Sequence, residues 1–416
     1  MNHWAKTDIL QLFLRFIRYL QKESQKNIAR STNINISLIS RFEKGKRVPT
    51  DKQTQKLLAF YGTDPETFFR EDENVENILN DLFEAIYYVK DYDYREQIVL
   101  SIANQIDKTH YYPYYCLLCF CHYASKGKIK EASRYFWPLN KTIELYPYDQ
   151  KVLFYSFCSI YYFSLKRIDK RELIFESVNQ ENITDARIQA LFHYYQIYIS
   201  PNHSDMFEIL MHYAECRSQL EKDHNHRRLM MLNIVIANAY SALNRIKESI
   251  EKDLETLTML KEDDEPSWKY TIQHNLACSY LQLQDYEKVI VYLDKCMPYY
   301  DNRLTYFMYG FCYYQLGDQS LAEMYVRKAM DTPMSVPYYD LLVEWLGLMI
   351  TDPYQKKCIQ VLEKIYTQYH DELNLESSQN ILALMVDYYE HTQNAILAEQ
   401  YKKMIQLDHL IVPIQK

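Results

Sequence analysis

A short polar segment near the N-terminus has the residue types and spacing needed to bind a polyanion. Four side chains at i, i+3, i+4 and i+7 would share one face of a helix. They are Ser37, Ser40, Arg41 and Lys44. The apolar residues Ile39 and Phe42 would lie on the opposite, buried face. The hydroxyl groups of Ser37 and Ser40 can bond base edges, and cationic groups neutralise phosphates, so we predict nucleic-acid contacts for this face.

The flanking residues extend the predicted contact surface. Lys44, Lys46 and Arg47 stand where a groove-bound helix would leave the groove, and we expect them to neutralise phosphates. Gln25 stands at the start of the preceding helix, where free backbone N–H groups also favour phosphate. The predicted DNA-binding residues are Gln25, Asn35, Ile36, Ser37, Ser40, Arg41, Lys44, Lys46 and Arg47.

Capping residues and apolar stripes predict five short helices within residues 1–72. Ser24 and Asn35 are suitable N-caps for the second and third helices, and Thr50 with Gln53 has capping-box spacing for the fourth. A fifth helix starts at Asp64, Pro65 and Glu66. We therefore predict a small helix-turn-helix domain, followed by connecting helices in residues 73–110.

The remaining chain, residues 111–416, repeats loosely with a period near 33 residues. Aligning Ala277 with Gly310 places Tyr280 on Tyr313. A small residue, an aromatic residue three positions later and a turn describe one antiparallel helix pair. The same pattern recurs around Phe120 and Tyr389, and weaker copies centre on Tyr162 and Tyr240. We count about eight helical hairpins between Tyr114 and Leu410. Such hairpins must stack on one another to bury their apolar faces.

Composition supports an all-α protein, and the N-terminal part of the chain differs in net charge from the rest. Only 6 Gly and 12 Pro occur in 416 residues, which is too few turn residues for a many-stranded fold. Residues 1–70 hold 13 Lys and Arg against 6 Asp and Glu, whereas the whole chain has a net charge of −8. The opposite signs indicate different partners for the two parts. No apolar window is long enough to span a membrane, so we expect no membrane association and a cytoplasmic location.

The first domain resembles the Xre/Cro-like helix-turn-helix family through Gln25 and the segment Ile39-Ser40-Arg41-Phe42-Glu43-Lys44-Gly45-Lys46-Arg47-Val48-Pro49. This resemblance implies binding to a double-stranded DNA operator. Two alternatives stay open, namely a merely solvated polar face and a helix-turn-helix that binds protein. Ile36 replaces a polar residue usual in the family. The resemblance implies that Glu43 ties its helix to a basic neighbour.

The repeats resemble tetratricopeptide repeats, which implies a right-handed superhelix with a concave inner face. In that register the inner face carries the predicted peptide-binding residues Asn238, His274, Phe307, Phe311, Tyr314 and Asp387. Asn275 is one residue off this register and completes the predicted set. An inward Asn amide can donate to and accept from a peptide backbone. For each of the three inner aromatic residues, packing between hairpins is an equally good interpretation.

Both domains together resemble the cytoplasmic peptide-pheromone receptors of Gram-positive bacteria, the Rap, Rgg, NprR, PlcR and PrgX group, and the related phage arbitrium regulators. The resemblance implies a homodimeric transcription regulator controlled by a short signalling peptide. The alternative is a scaffold that sequesters a regulatory protein. No nucleotide-binding or catalytic motif occurs, and the cluster Cys116, Cys119, Cys121 and His122 fits core packing better than metal binding. We expect no cofactor, no metal and no enzymatic activity.

Overall fold

The computed structural model describes residues 6–165, 167, 178–199, 206–262, 264–333, 337–369 and 375–408. Within these ranges the regular secondary structure is entirely helical, which confirms the predicted all-α class. Contacts divide the chain into two units. The first comprises residues 1–199 and 211–229, and the second comprises residues 200–210 and 230–416. The domain boundaries drawn from the sequence stay a prediction.

Five helices form the N-terminal bundle, residues 6–69, as the capping pattern predicts. They are α1 (Lys6–Leu20), α2 (Gln25–Thr32), α3 (Ile36–Glu43), α4 (Asp51–Phe60) and α5 (Pro65–Phe69). The Ser24 side chain accepts the Asn27 N–H, and Thr50 and Gln53 form a complete capping box. Such caps stabilise a helix by about 1 kcal/mol each, which matters for helices this short.

Helix α1 is buried on two sides, whereas the sequence pattern indicated one buried stripe. Phe13 and Ile17 belong to the core of the N-terminal bundle, together with Phe68 and residues of α2, α3 and α4. Phe16 is fully buried and contacts the ring of Tyr112 from the next part of the chain, with ring centroids 6.2 Å apart. The bundle is therefore packed against the helices that follow it in the first unit.

The helices that follow in the first unit begin with the predicted connecting pair, α6 (Glu73–Tyr87) and α7 (Tyr92–Ile106). Next come α8 (Tyr112–Ser125), α9 (Ile129–Thr142), α10 (Tyr148–Ser164) and α11 (Ala186–Ile199). Helix α12 (Met206–Lys222) follows, and it belongs to the first unit from residue 211 onward. The predicted partner helix of the copy around Tyr162 lies outside the described residues. Helix α9 packs along both α8 and α1. The first hairpin thus supports the N-terminal bundle.

The following helices form five consecutive antiparallel pairs. They are α13 (His226–Ala242) with α14 (Ile246–Met259), α15 (Pro266–Gln282) with α16 (Tyr286–Cys296), α17 (Arg303–Gln315) with α18 (Gln319–Asp331), α19 (Pro337–Thr351) with α20 (Lys356–Gln368), and α21 (Leu375–His391) with α22 (Ala395–Asp408). Gly310, the predicted small residue, lies where an added Cβ would come within 3.4 Å of Val326 in α18. The predicted register therefore describes real helix contacts.

A stacked tyrosine pair recurs across four of the described hairpins. The two tyrosines are always twelve residues apart, one on each helix, and their rings are nearly parallel. The pairs are Tyr123–Tyr135, Tyr280–Tyr292, Tyr313–Tyr325 and Tyr389–Tyr401, with ring centroids 6.1, 5.5, 5.6 and 5.7 Å apart. Aromatic pairs contribute about 0.5–1.5 kcal/mol beyond their buried area. This spacing accounts for part of the 41 tyrosines and is a repeat marker that the sequence analysis missed.

Candidate functional site

The polar face of α3 is open to solvent in the N-terminal bundle. Ser37, Arg41 and Lys44 are exposed and Ser40 is half-buried, while Ile39 and Phe42 are buried on the opposite side. Asn35 caps the helix, since its Oδ1 accepts from the Ser37 N–H and from the Ser37 hydroxyl. These side chains follow the predicted arrangement. Their contact with DNA stays a prediction.

Glu43 fixes the position of α3 through a buried ion pair. The carboxylate is 5% exposed and accepts from Arg18 Nε at 2.6 Å and Arg18 Nη2 at 2.7 Å. Burial alone would lower the pKa of Arg18, but the hydrogen bonds and charge of Glu43 raise it. This contact identifies Arg18 as the basic neighbour of Glu43. Because both Arg18 nitrogens bond one carboxylate, the pair sets the orientation of α3 relative to α1.

Gln25 occupies a different position from the one proposed for it. Its side chain is half-buried, and its Nε2 donates to Glu43 Oε2 at 2.9 Å. The Gln25 amide nitrogen therefore links α2 to α3 in this structure. Its predicted phosphate contact would have to use the backbone at the start of α2 or a rearranged side chain.

The basic residues after α3 project from a tight turn. Gly45 has a φ of +67°, and a Cβ at this position would come within 3.1 Å of Gln11. Glycine permits this turn because it lacks a Cβ. Lys44, Lys46 and Arg47 are exposed around the turn. Among the described residues, none of the three has an acidic oxygen within 4 Å, so their charges are available to an external anion.

In the second unit, the first helices of successive hairpins share a line of amide side chains, here called the amide strip: Asn238, Asn275 and Gln282. Asn275 Nδ2 on α15 donates to Asn238 Oδ1 on α13 at 3.0 Å. Gln282 Nε2 on α15 approaches Ser241 Oγ on α13 at 3.4 Å. Gln282 Oε1 is buried and has no hydrogen-bond partner in the described part of the chain. The structure thus brings Asn238 and Asn275 together and adds Gln282. The sequence analysis missed Gln282 although it lies seven residues, about two helical turns, beyond Asn275.

Aromatic residues follow the amide strip on α17. Phe307 and Phe311 are half-buried and stack with ring centroids 6.2 Å apart. Phe311 also contacts Trp345 on α19, again with centroids 6.2 Å apart. These contacts give the two phenylalanines a packing role between hairpins, while both side chains stay partly exposed.

The other predicted peptide-binding residues differ in accessibility. Asp387 on α21 is exposed. Burial, with the nearby Tyr354, Cys358 and Asp387, raises the pKa of Tyr314, which places Tyr314 and Asp387 in one neighbourhood. His274 instead stacks on Tyr300 with centroids 4.4 Å apart, and burial lowers the pKa of its imidazole. Its Nε2 is buried without a partner among the described residues, so this ring nitrogen is closed to a peptide in the present arrangement.

The cysteine cluster of α8 lies in the core. Cys116, Cys119 and Cys121 are fully buried, and burial raises the pKa of all three thiols. His122 bonds Glu96 through Nε2 at 2.7 Å, and burial lowers its pKa to about 4. The described residues include no group of three or more potential metal ligands. No described helix combines the length and apolarity needed to cross a membrane.

Comparisons with known proteins agree with the repeat architecture. The tetratricopeptide repeat family matches residues 270–297 and 305–332, which cover α15 to α18. No curated protein sequence matches the chain. Two Rap structures are similar in fold. The apo form of RapI has a TM-score of 0.57 and 15% identity over 80% of this chain and 97% of that chain. A Rap protein complexed with Competence and Sporulation Factor has a TM-score of 0.59 and 14% identity over 83% of this chain and 100% of that chain.

A third similar structure is the apo form of the quorum sensor NprR from B. thuringiensis, with a TM-score of 0.58 and 14% identity over 81% of this chain and 99% of that chain. Identities this low establish the fold alone. The chain therefore has tetratricopeptide repeats in a Rap- and NprR-like helical architecture.

Proposed function

We propose that this chain is a cytoplasmic, homodimeric transcription regulator whose binding to double-stranded DNA is controlled by a short signalling peptide. The observation that carries the proposal is the α3 face. It presents exposed Arg41 and Lys44 with no acidic partner in the described residues, and the buried Arg18–Glu43 pair holds it in place. A cationic, orientated helix face on a domain of +7 local charge is suited to a major groove.

We propose different tasks for the residues of the α3 face. Arg41 lies mid-helix and can reach a base edge, whereas Lys44, Lys46 and Arg47 surround the turn that follows and suit phosphates. Asn35 holds the Ser37 hydroxyl, so Ser37 would be orientated before it meets DNA. Ile36 is 46% exposed at the first turn and offers an apolar surface to the groove. In a homodimer, two such helices would be spaced by about one helical turn or a multiple.

The amide strip supports the peptide part of the proposal. Asn238, Asn275 and Gln282 form a polar line, and Phe307 and Phe311 offer partly exposed apolar rings on the first helix of the next hairpin. Amides suit an extended peptide backbone, and rings suit its side chains. One of the similar folds is a Rap protein complexed with Competence and Sporulation Factor. A peptide that fits one arrangement of the hairpins better than another would shift the DNA-binding equilibrium.

The scaffold function is the second candidate. It is favoured by the similarity in fold to the two Rap structures. In that case the repeats would hold a regulatory protein, and the α3 face would contribute little.

Replacing Arg41 and Lys44 with alanine separates the two candidates. We expect the double variant to lose at least about 30-fold in affinity for duplexes that the wild-type chain selects from a random-sequence library, because a base contact contributes about 1–3 kcal/mol. Both residues are exposed, so the thermal unfolding midpoint should not change.

A matched control is Lys247→Ala with Lys295→Ala, which also removes two exposed cations. The control should bind the selected duplexes normally. Equal affinities for wild type and the Arg41→Ala/Lys44→Ala variant, or a wild-type chain that selects no duplex, would favour the scaffold.

A further inference from the structure

A stripe of exposed cations on α9 lies beside the N-terminal bundle. Helical spacing places four residues on one face of α9, and they are here called the basic stripe: Lys130, Arg134, Trp137 and Lys141. All four are exposed, and Trp137 retains 46% exposure despite its size. In the described part of the chain no acidic oxygen lies within 4 Å of the three cations. A large exposed aromatic residue among unpaired cations is unusual for a purely solvated face.

A chain of side-chain contacts links the basic stripe to the helix that carries the predicted DNA-binding face. Trp137 meets the ring of Tyr19 on α1 edge-on, with centroids 5.1 Å apart. The Arg18 guanidinium lies 4.2 Å from the Tyr19 ring centroid and bonds Glu43, the residue before Lys44. The Lys141 ammonium lies 6.0 Å from the Trp137 ring centroid. A chain of contacts therefore links α9 to the end of α1 and, through the buried Arg18–Glu43 pair, to the end of α3.

We infer that the basic stripe binds the phosphate backbone of the same DNA duplex, flanking the bases that α3 contacts. This inference rests on the DNA-binding function proposed above. Charge selects the occupant, because unpaired cations match a polyanion and Trp137 can pack against sugars at the groove edge. Lys130 to Lys141 spans about 16 Å along the helix axis, which corresponds to about five base pairs of backbone. The repeat domain would then contribute directly to DNA affinity.

The test uses the full chain with Lys130, Arg134 and Lys141 all replaced by glutamine. The probe is a duplex selected by the wild-type chain, and affinity is measured across a series of salt concentrations. The slope of log affinity against log salt concentration should decrease by about 2–3, since each phosphate contact contributes about 0.9. The hydroxyl-radical footprint should become about five base pairs shorter on one flank, and the selected sequence should stay the same.

The control is Lys247→Gln with Lys269→Gln and Lys295→Gln, which removes three exposed cations from the second unit. It should leave both slope and footprint unchanged. If the wild type binds DNA but the stripe variant keeps its slope and footprint, this inference fails and the proposed function stands. If the wild type binds no duplex at all, both fail.

Discussion

Replacing Arg18 with methionine is expected to lower the free energy of unfolding of the N-terminal bundle by about 3–5 kcal/mol. The physical reason is that the change would leave Glu43, 5% exposed, as a buried carboxylate without its bidentate partner. Gln25 would remain as a donor, but one amide bond does not replace two charged ones. Urea unfolding followed by circular dichroism measures the effect, and hydrogen exchange of α3 localises it.

The double variant Arg18→Met/Glu43→Met provides the matched control. Because an apolar pair of similar volume avoids the cost of burying charge, we expect it to recover most of the lost stability. Recovery of stability without recovery of DNA affinity would further show that the ion pair orientates α3. A single variant as stable as the wild type would contradict this description of the Arg18–Glu43 contact.

Replacing Asp253 with asparagine is expected to have the opposite effect, because it should raise the free energy of unfolding of the second unit by about 4 kcal/mol at pH 7. Asp253 on α14 is fully buried, and neither of its carboxylate oxygens has a hydrogen-bond partner in the described residues. Burial raises its pKa to about 8. Asparagine keeps the shape of the side chain and cannot ionise in the unfolded state.

The pH dependence follows from the same difference in proton binding. Between the unfolded pKa of about 3.9 and the folded pKa of about 8, the folded chain holds one proton more than the unfolded chain. The contribution of Asp253 to the free energy of unfolding is therefore at its most favourable below about pH 4. It decreases by about 1.4 kcal/mol for each pH unit up to about pH 8. The check is to measure the free energy of unfolding of the wild type and of Asp253→Asn at pH 5, 6, 7 and 8. The other titratable groups are the same in both proteins, so their effects cancel in the difference between the two free energies. A constant difference would show that Asp253 is not buried as an acid.

Local structure was the part of this molecule that the sequence could predict. The caps at Ser24, Asn35 and Thr50 are found as expected, because capping depends on residues only two or three positions apart. The Ala277–Gly310 register also holds, since small residues are required wherever two helices approach closely. The exposed α3 face followed from the same helical periodicity.

Contacts between distant residues were harder to predict. Sequence reasoning expected a basic partner for Glu43 but did not identify Arg18, which is 25 positions away. The second buried side of α1 depends on α8 and α9, and nothing in the α1 pattern reveals it. Asp253 is another case, because an acidic residue among Glu251, Lys252 and Glu255 has the appearance of a surface position. The helices that carry Gln25 and His274 were predicted correctly. The contacts of these two side chains were not, because they depend on residues of other helices.

The most direct test of the central claim is the DNA affinity of the full chain with and without the peptide fraction of spent medium from its native source. We predict that this fraction changes the affinity for the selected duplex by at least about fivefold, and that protease treatment of the fraction abolishes the change. The variant Asn238→Leu/Asn275→Leu should bind the duplex as the wild type does, without responding. An identical wild-type affinity in the presence and absence of the fraction, at every concentration tried, would contradict the account.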